Sequence, residues 1–376
     1  MFPLTRLQVT SRAVLKLLHL VLVVFSLSPS RLPRPILWIR LIGWVAWYVF
    51  IWMRSVHVAK TTDCDLDCML RHMLTVCETA SHAFLVASTF IQGFRNSQEE
   101  QPGEVTIFQA SDPWVAFTVL AMLAPMFGVQ YMVCSNIPDS ERRVWLYHLK
   151  TLPSFLALQL QIVSFISEVM EVNIRVRLAK LQLVILAREL SSRWPQCKYQ
   201  PDFLDRQSYR IEALKRRYNE LHHLYDRIND CFGVSLLIII IVFFADFVCN
   251  SYWLFVDVRT TSKSRVNAIL VKMGFIFNVA LQMSSACWHS QQSYNLGRQI
   301  GCLISKLVKP QGSKRYNELV SEFSLQTLHQ RFVVTAKDFF SLNLHLLSSM
   351  FAAVVTYLVI LIQFMFAERS AGGHSG

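Results

Sequence analysis

The uncharged run at residues 344–366 contains a polar side chain that needs a hydrogen-bonding partner more clearly than any other in this chain. The run is long enough to cross about 30 Å of hydrocarbon as a helix. Gln363 lies within it, and an amide in lipid costs several kcal/mol unless it meets water or a hydrogen-bonding partner. Ile360, Gln363 and Phe364 are spaced i, i+3 and i+4, and Thr356 lies further back on nearly the same face. This face is therefore predicted to contact protein or a wet cavity.

Ionisable groups also fall within apolar runs upstream. Glu78 and His82 are one helical turn apart in one run. Asp246 and Lys272 lie in two others, and a charge at membrane depth costs about 2.5 to 3.5 kcal/mol unless it is paired or hydrated. We therefore expect Asp246 and Lys272 to be neighbours, as ligand contacts or as a purely structural ion pair. Amphipathic and aromatic residues complete the ligand-binding candidates: Tyr131, Gln159, Asn250, Trp253, Phe275 and Asn278.

The sequence contains no arrangement of residues that indicates an enzyme. His222 and His223 have neither the HExxH order nor a third ligand, and Walker, GxGxxG and GxSxG motifs are absent. Cys64 and Cys68 form half of a zinc-site spacing without a second pair, which favours free or locally bridged thiols and leaves open a disulfide with Cys134. We expect no catalytic residue, no metal and no cofactor.

The composition is that of a polytopic, all-α membrane protein. Of the 376 residues, 53% are hydrophobic and only 16% are charged. The net charge of +12 does not indicate nucleic-acid binding, because no basic groove with interleaved aromatic residues is present and the basic residues cluster between apolar runs. Seven runs are predicted as transmembrane helices: 36–53, 69–94, 113–134, 152–170, 232–255, 266–287 and 344–366.

The N-terminal segment, residues 1–35, carries five basic residues and no acidic residue. Its apolar run at 17–27 is similar to a cleavable signal peptide. Because His19 interrupts that run, we interpret the segment as lying on the membrane surface.

Two long segments between spans, residues 171–231 and 288–343, are predicted to be helical extensions. Pro195 and Pro201 separate two helices in the first of them. Beyond this break, apolar residues recur at alternating steps of three and four, which is a heptad seam and predicts a helix packed along another helix. The seam consists of Ile211, Leu214, Tyr218, Leu221, Tyr225, Ile228 and Phe232. Such a domain suggests contact between subunits.

The distribution of basic residues predicts the orientation in the membrane. Segments on the N-terminal side contain 25 Lys and Arg residues, whereas segments on the other side contain nine. Since basic residues concentrate on the cytoplasmic side, the N-terminus is predicted inside and the tail at 367–376 outside. This orientation is opposite to that of a G-protein-coupled receptor.

The C-terminal region resembles the signature of the insect gustatory receptor family. In the last span the signature comprises Thr356-Tyr357, five apolar residues and Gln363-Phe364. The upstream matches are Phe323-Ser324-Leu325-Gln326, His329, Thr335-Ala336, Phe339-Phe340 and Leu342. Two positions depart from the pattern, since Asp338 stands where glycine is usual and Asn343 where aspartate is usual.

The resemblance implies a tastant-gated, non-selective cation channel subunit in the plasma membrane of gustatory neuron dendrites. In gustatory receptors and the related odorant receptors, four subunits meet through a cytoplasmic domain and the seventh helices line one central pore. By this resemblance Ile360 is a hydrophobic gate residue, Gln363 a polar ring and Phe364 a second constriction. The alternative for Gln363 is a hydrogen bond to a neighbouring helix of its own subunit.

Two other classes of protein are alternatives to the channel. A metabotropic receptor coupled to a G protein would have its N-terminus outside. A transporter would have paired helices broken by Gly or Pro, or two similar halves, and neither feature is found in the sequence.

Overall fold

The computed structural model describes residues 2–25, 34–59, 66–96, 113–135, 142–197, 201–259, 266–307 and 314–372. Within these ranges the chain is almost entirely helical. The helices are α1 (Phe2–Val24), α2 (Arg34–Ala59), α3 (Leu66–Asn96), α4 (Pro113–Ser135), α5 (Arg142–Cys197), α6 (Pro201–Arg259), α7 (Val266–Ser305), α8 (Lys314–His329) and α9 (Leu344–Gly372). A short antiparallel hairpin, β1 (Thr335–Ala336) and β2 (Phe340–Ser341), lies between α8 and α9. The side chains of Cys64, Cys68 and Cys134 lie outside the described residues.

The predicted membrane spans fall on seven helices. Six of them contain a stretch long and apolar enough to cross a bilayer: Met69–Ile91 in α3, Pro113–Val133 in α4, Leu152–Ser192 in α5, Phe203–Val258 in α6, Val266–Ser305 in α7 and Leu344–Ala367 in α9. In α2 the apolar stretch is shorter, Trp38–Met53. The predicted class, an all-α polytopic membrane protein, is confirmed.

The chain divides into two compact units. Unit 1 comprises Met1–Ser167, Ser235–Ser284 and Leu347–Gly376, and unit 2 comprises Glu168–Val234 and Ser285–Leu346. The long helices α5 and α6, of 56 and 59 residues, contribute to both units. α6 begins at Pro201, a position in the first turn where the missing N–H of proline has no cost. The predicted break between the two helices is therefore present.

The N-terminal helix packs against another helix of unit 1. One face of α1 buries Leu15, Leu18 and Leu22, and the helix lies against α4. The position of this segment on the membrane surface stays a prediction. Full burial of a leucine side chain is worth about 1.5–3 kcal/mol, so a stripe of three favours packing against a second helix.

The most polar predicted span, α3, satisfies its threonine hydroxyls within the helix. Thr75 Oγ1 donates to Arg71 O at 2.9 Å, and Thr79 Oγ1 donates to Thr75 O at 2.7 Å. These bonds remove the cost of a hydroxyl group in apolar surroundings. Among the described side chains of α3, the buried ionisable groups are Glu78 and His82.

The predicted heptad seam lies in the core of unit 2. Ile211, Tyr218 and Tyr225 are almost completely buried. The Phe332 ring centroid lies 4.7 Å from that of Tyr218 and 4.9 Å from that of Tyr225. Tyr218 OH donates to Gln330 O at 2.6 Å. Because the seam is buried against its own chain, any contact of unit 2 with another subunit uses other faces.

Asn229 of α6 holds the hairpin that precedes α9. Its Nδ2 donates to Val333 O at 2.9 Å, and its Oδ1 accepts the Thr335 N–H at 3.1 Å. The turn places Lys337 and Asp338 at φ of 48° and 61°, the left-handed region that favours glycine. This backbone conformation explains why glycine is the usual family residue where this chain has Asp338.

Asn343 caps the N-terminus of α9. Its Oδ1 accepts the Leu346 N–H at 2.8 Å, which satisfies one of the free N–H groups of the first turn. Aspartate, the usual family residue here, accepts the same bond. The departure at Asn343 therefore keeps the physical role of the position.

Candidate pore helix and ligand-binding residues

One face of α9 packs on its own chain. The ring of Tyr357 meets that of Phe244 edge-on, with centroids 5.7 Å apart, and Phe351 meets Phe247 in the same way at 5.8 Å. Val354 is buried on this side of the helix. The signature tyrosine therefore holds α9 against α6.

The opposite face of α9 is uncovered. Thr356, Ile360, Gln363 and Phe364 are exposed, Ile360 to 39% and Phe364 to 62%. Thr356 Oγ1 donates to Ala352 O at 3.0 Å, so this hydroxyl is satisfied by its own helix. Within the described residues the Gln363 amide makes no hydrogen bond. The alternative role, a hydrogen bond from Gln363 to a neighbouring helix of its own subunit, is therefore not seen. We call these four residues the α9 open face.

His82 is enclosed by aromatic rings. Its ring centroid lies 4.6 Å from that of Trp44 and 5.8 Å from that of Tyr48, both on α2. His82 Nε2 lies 3.4 Å from the backbone oxygen of Phe25. These contacts place His82 in the packing between helices.

Two buried carboxyl groups come together between α3 and α6. Glu78 lies close enough to Asp246 for the two groups to interact electrostatically. Asp246 Oδ1 accepts a hydrogen bond from Asn250 Nδ2 at 2.7 Å. Two turns from Glu78, the Arg71 guanidinium lies 5.6 Å from the Trp253 ring centroid. The structure thus gathers four of the predicted ligand-binding residues along one helix pair.

The prediction that Asp246 and Lys272 are neighbours is wrong. Lys272 Nζ forms an ion pair with Asp257 and donates to Trp253 O at 3.5 Å. Asp257 lies about three helical turns beyond Asp246, near the connection to α7, where an antiparallel helix pair brings it opposite Lys272. The fifth span is predicted to end at residue 255, before Asp257, whereas α6 continues to Arg259.

Three buried amides form a chain between α5 and α7. Asn278 Nδ2 donates to Gln159 Oε1 at 3.0 Å, and Gln282 Nε2 donates to Asn278 Oδ1 at 3.4 Å. Within the described residues the two ends of this chain, Gln159 Nε2 and Gln282 Oε1, have no partner. Phe275 and Phe155 meet edge-on between the same helices, at 5.3 Å. Gln282 was not predicted, although its spacing of four residues from Asn278 inside an apolar run is a signal for it.

Tyr131 stays apart from these clusters. It lies on α4 and is 75% exposed, whereas Val129 and Val133 of the same helix are buried. The structure therefore places Tyr131 on the outer face of its helix.

Comparison with known proteins decides the family. The sequence model of the 7tm chemosensory receptors matches residues 103–368. Gustatory receptor 23a of Drosophila melanogaster is 68% identical over 376 residues, which covers 100% of both chains. The chain belongs to the insect gustatory receptor family. Putative gustatory receptor 39b of Drosophila melanogaster is 33% identical over 158 residues, which covers 40% of this gustatory receptor and 42% of the relative.

The fold of this gustatory receptor matches that of insect olfactory receptor OR5 from Machilis hrabei. The structure of OR5 in complex with eugenol aligns with a TM-score of 0.58 at 10% sequence identity, covering 94% of this chain and 99% of OR5. A second OR5 structure aligns with a TM-score of 0.51 at 12% identity, covering 80% of this chain and 82% of OR5. The likeness concerns the fold and agrees with the predicted seven-helix architecture.

Proposed function

We propose that this gustatory receptor is a subunit of a tastant-gated, non-selective cation channel whose pore is lined by α9. The observation that carries the proposal is the α9 open face. In a membrane, the Gln363 amide on that face meets either lipid, at a cost of several kcal/mol, or water. Four copies around a common axis turn four such faces toward one aqueous path and remove this cost.

Each residue of the α9 open face has a distinct role in that path. A ring of Ile360 side chains closes the pore by excluding water, because an apolar constriction dewets. A ring of Gln363 amides replaces part of the hydration of a cation without supplying a fixed charge, which suits weak selectivity. Phe364 forms a second constriction, and Thr356 borders the path on the other side of the gate.

The proposed orientation puts the N-terminus and unit 2 in the cytoplasm. It is supported by the excess of Lys and Arg on that side. Unit 2 has an apolar stripe on α5 suited to contact between subunits, in which Leu178, Leu181 and Ile185 are 48%, 56% and 51% exposed. The buried heptad seam stabilises the unit internally, and this stripe is the face offered to another copy.

We place the tastant in unit 1, near its buried polar clusters. One cluster is Glu78, Asp246 and Asn250, with Trp253 on the same helix as the last two. The other is the amide chain, whose unpaired ends offer one donor and one acceptor. A tastant opens the channel if it binds the open state more tightly than the closed state. The complex of OR5 with eugenol supports a ligand site in this fold.

Three predicted ligand residues have a smaller part in this proposal. His82 is occupied by aromatic packing, Lys272 by its ion pair, and Tyr131 faces outward. The proposed partners are a small-molecule tastant, permeating cations, the lipid bilayer and other gustatory receptor subunits, in a homo- or heterotetramer. The proposed location is the plasma membrane of gustatory neuron dendrites.

Cysteine accessibility in expressed channels tests the pore. The full chain is expressed in cells, a tastant that evokes current is found by screening, and a charged thiol reagent is applied to Ile360→Cys and Gln363→Cys. We expect the reagent to block most of the current in both variants, because their side chains line the water path. Met365→Cys is the matched control, since Met365 lies on the covered face and is 6% exposed. Gln363→Ala is expected to change the relative permeability of cations.

Two outcomes contradict the proposal. One is equal sensitivity of the Gln363→Cys and Met365→Cys variants, with unchanged ion selectivity in Gln363→Ala. The other is a current that disappears in excised patches lacking G protein and nucleotide, which would indicate metabotropic coupling.

A further inference from the structure

Unit 2 contains a large cavity with a polar and mainly basic lining. Its volume is about 650 Å³, within the range of about 300–1,000 Å³ that is usual for small-molecule sites. The walls come from α5 and α6. Their polar residues are Arg175, Tyr209, Glu212, Arg216, Arg217 and Glu220.

The charge of Glu212 is already matched by arginines. Arg216 NH2 donates to Glu212 Oε1 at 2.5 Å, and Arg315 NH2 lies 3.9 Å from Glu212 Oε2. The hydrogen bond from Arg216 lowers the pKa of Glu212, so this carboxylate stays ionised and bound to the two guanidinium groups. The cavity therefore does not present Glu212 as a free acceptor for a cation.

Arg217 lines the cavity and has no acidic partner among the described residues. Its NH1 donates to the neutral amide oxygen of Gln182 at 3.3 Å, and it forms no ion pair within the described residues. A guanidinium has five N–H donors in a planar fork that matches two oxygens of a phosphate. Most of the donors of Arg217 are therefore available to a ligand.

Further guanidinium groups stand close to Arg217. Arg216 and Arg175 line the same cavity, and the guanidinium of Arg315 lies 5.3 Å from the ring centroid of Tyr209, another lining residue. The lining thus contains three arginines and two carboxylates, Glu212 and Glu220. Arg315 adds a fourth guanidinium beside the lining, and Glu171 pairs with Arg175 at 3.3 Å. The balance favours an anion.

The Arg175 end of the cavity is close to the expected membrane boundary. The fourth span is predicted to end at residue 170, and Arg175 follows it by about one helical turn on α5. In the proposed orientation this is the cytoplasmic side, where basic pockets near membrane helices bind phosphoinositide headgroups.

We propose that this cavity, the arginine pocket formed by Arg175, Tyr209, Arg216 and Arg217, binds a multiply phosphorylated anion. Two sources share that chemistry, the headgroup of a phosphoinositide in the inner leaflet and a soluble sugar or inositol polyphosphate. The site is separate from the pore and from the tastant clusters, so it adds a regulatory ligand to the proposed function.

The test measures binding to the purified full-length protein in detergent. Inositol trisphosphate and short-chain phosphatidylinositol bisphosphate are titrated separately, and binding is followed by the rise in unfolding temperature, since a ligand of the folded state stabilises it. We expect binding of at least one probe and a loss of about tenfold or more in its affinity in Arg217→Gln, because charge-assisted hydrogen bonds are the strong ones. Arg217→Lys keeps the charge and loses the planar fork of donors. Its affinity for the probe is expected to lie between those of the unmodified protein and Arg217→Gln.

Arg188→Gln is the matched control, since Arg188 is an exposed arginine of α5 outside the cavity. It should bind both probes like the unmodified protein. Tighter binding of the lipid assigns the pocket to a headgroup, and tighter binding of inositol trisphosphate assigns it to a soluble ligand. Equal losses of probe affinity in Arg217→Gln and Arg188→Gln, or no binding of either probe, would overturn the proposal. The unfolding temperature without ligand identifies a misfolded variant, and because no current is measured, failure of the channel proposal does not affect this test.

Discussion

Two buried amide clusters, one in each unit, differ in how completely their hydrogen bonds are made. In unit 2, Asn173 Oδ1 accepts from Tyr225 OH at 2.8 Å and from Ser293 Oγ at 2.9 Å. Its Nδ2 donates to His289 O at 3.0 Å. The Asn173 side chain is therefore held from both ends by other helices.

The cluster in unit 1 has open ends. Gln159, Asn278 and Gln282 are all buried, yet the outer atoms of the chain have no partner within the described residues. A buried polar group without a hydrogen bond costs about 1–3 kcal/mol. An unpaired donor and acceptor in a buried cluster therefore indicate a place where water or a ligand supplies the missing bonds. We therefore propose that the Asn173 cluster stabilises the fold and that the Gln159 cluster binds a ligand.

The largest expected effect is on stability, in Asn173→Ala. Truncation leaves the buried Tyr225 hydroxyl without the Asn173 acceptor, whereas Ser293 Oγ and His289 O each lose one bond and keep their mutual bond at 3.0 Å. We therefore expect a loss of about 2 kcal/mol in the free energy of unfolding. The fall in unfolding temperature of the purified protein in detergent measures it. Asn295→Ala is the control, because Asn295 is an exposed asparagine of α7 and its removal should cost less than about 0.5 kcal/mol. Similar losses in both variants would contradict a structural role for the Asn173 cluster.

A smaller loss of stability is expected in Asn343→Ala, which tests whether the hydrogen bonds at the start of α9 contribute as those of Asn173 do. Asn343→Ala removes the cap of α9 and should cost about 1 kcal/mol of stability, whereas Asn343→Asp restores an acceptor for the Leu346 N–H. The unfolding temperatures of the two variants check this order. If aspartate destabilises the protein as much as alanine does, the hydrogen bond at 2.8 Å is not what fixes this helix start.

Features with a local period could be predicted from the sequence. The spans and the seam through Tyr218 and Tyr225 depend on the spacing of apolar residues along one helix, and this spacing is visible in a single chain. The cap at Asn343 likewise depends on neighbouring residues, and its family equivalent is another cap-forming side chain.

Features that depend on the register between helices could not be predicted in the same way. Lys272 pairs with Asp257 instead of Asp246 because the α6–α7 connection sets which residues lie opposite each other. Burial alone could not identify the packing role of His82 either, since the rings that enclose it come from α2 and from the end of α1. The sequence indicates Gln159 and Asn278 only as separate candidates, because the hydrogen bond between them depends on the register of α5 against α7.

The smallest expected effect on stability is in Gln282→Leu. This variant tests most directly whether the Gln159 cluster differs from the Asn173 cluster. The substitution removes a long hydrogen bond of 3.4 Å together with an unpaired buried oxygen, at nearly constant volume, so stability should change by less than about 1 kcal/mol. The concentration of tastant needed for half-maximal current should rise about tenfold, as expected for the loss of one polar contact to a ligand. Gln291→Leu, a change of the same kind in unit 2, should leave both quantities unaltered. If Gln282→Leu instead destabilises the protein as much as Asn173→Ala does, the folded protein itself supplies the missing hydrogen bonds of the Gln159 cluster. Both clusters would then contribute to stability alone.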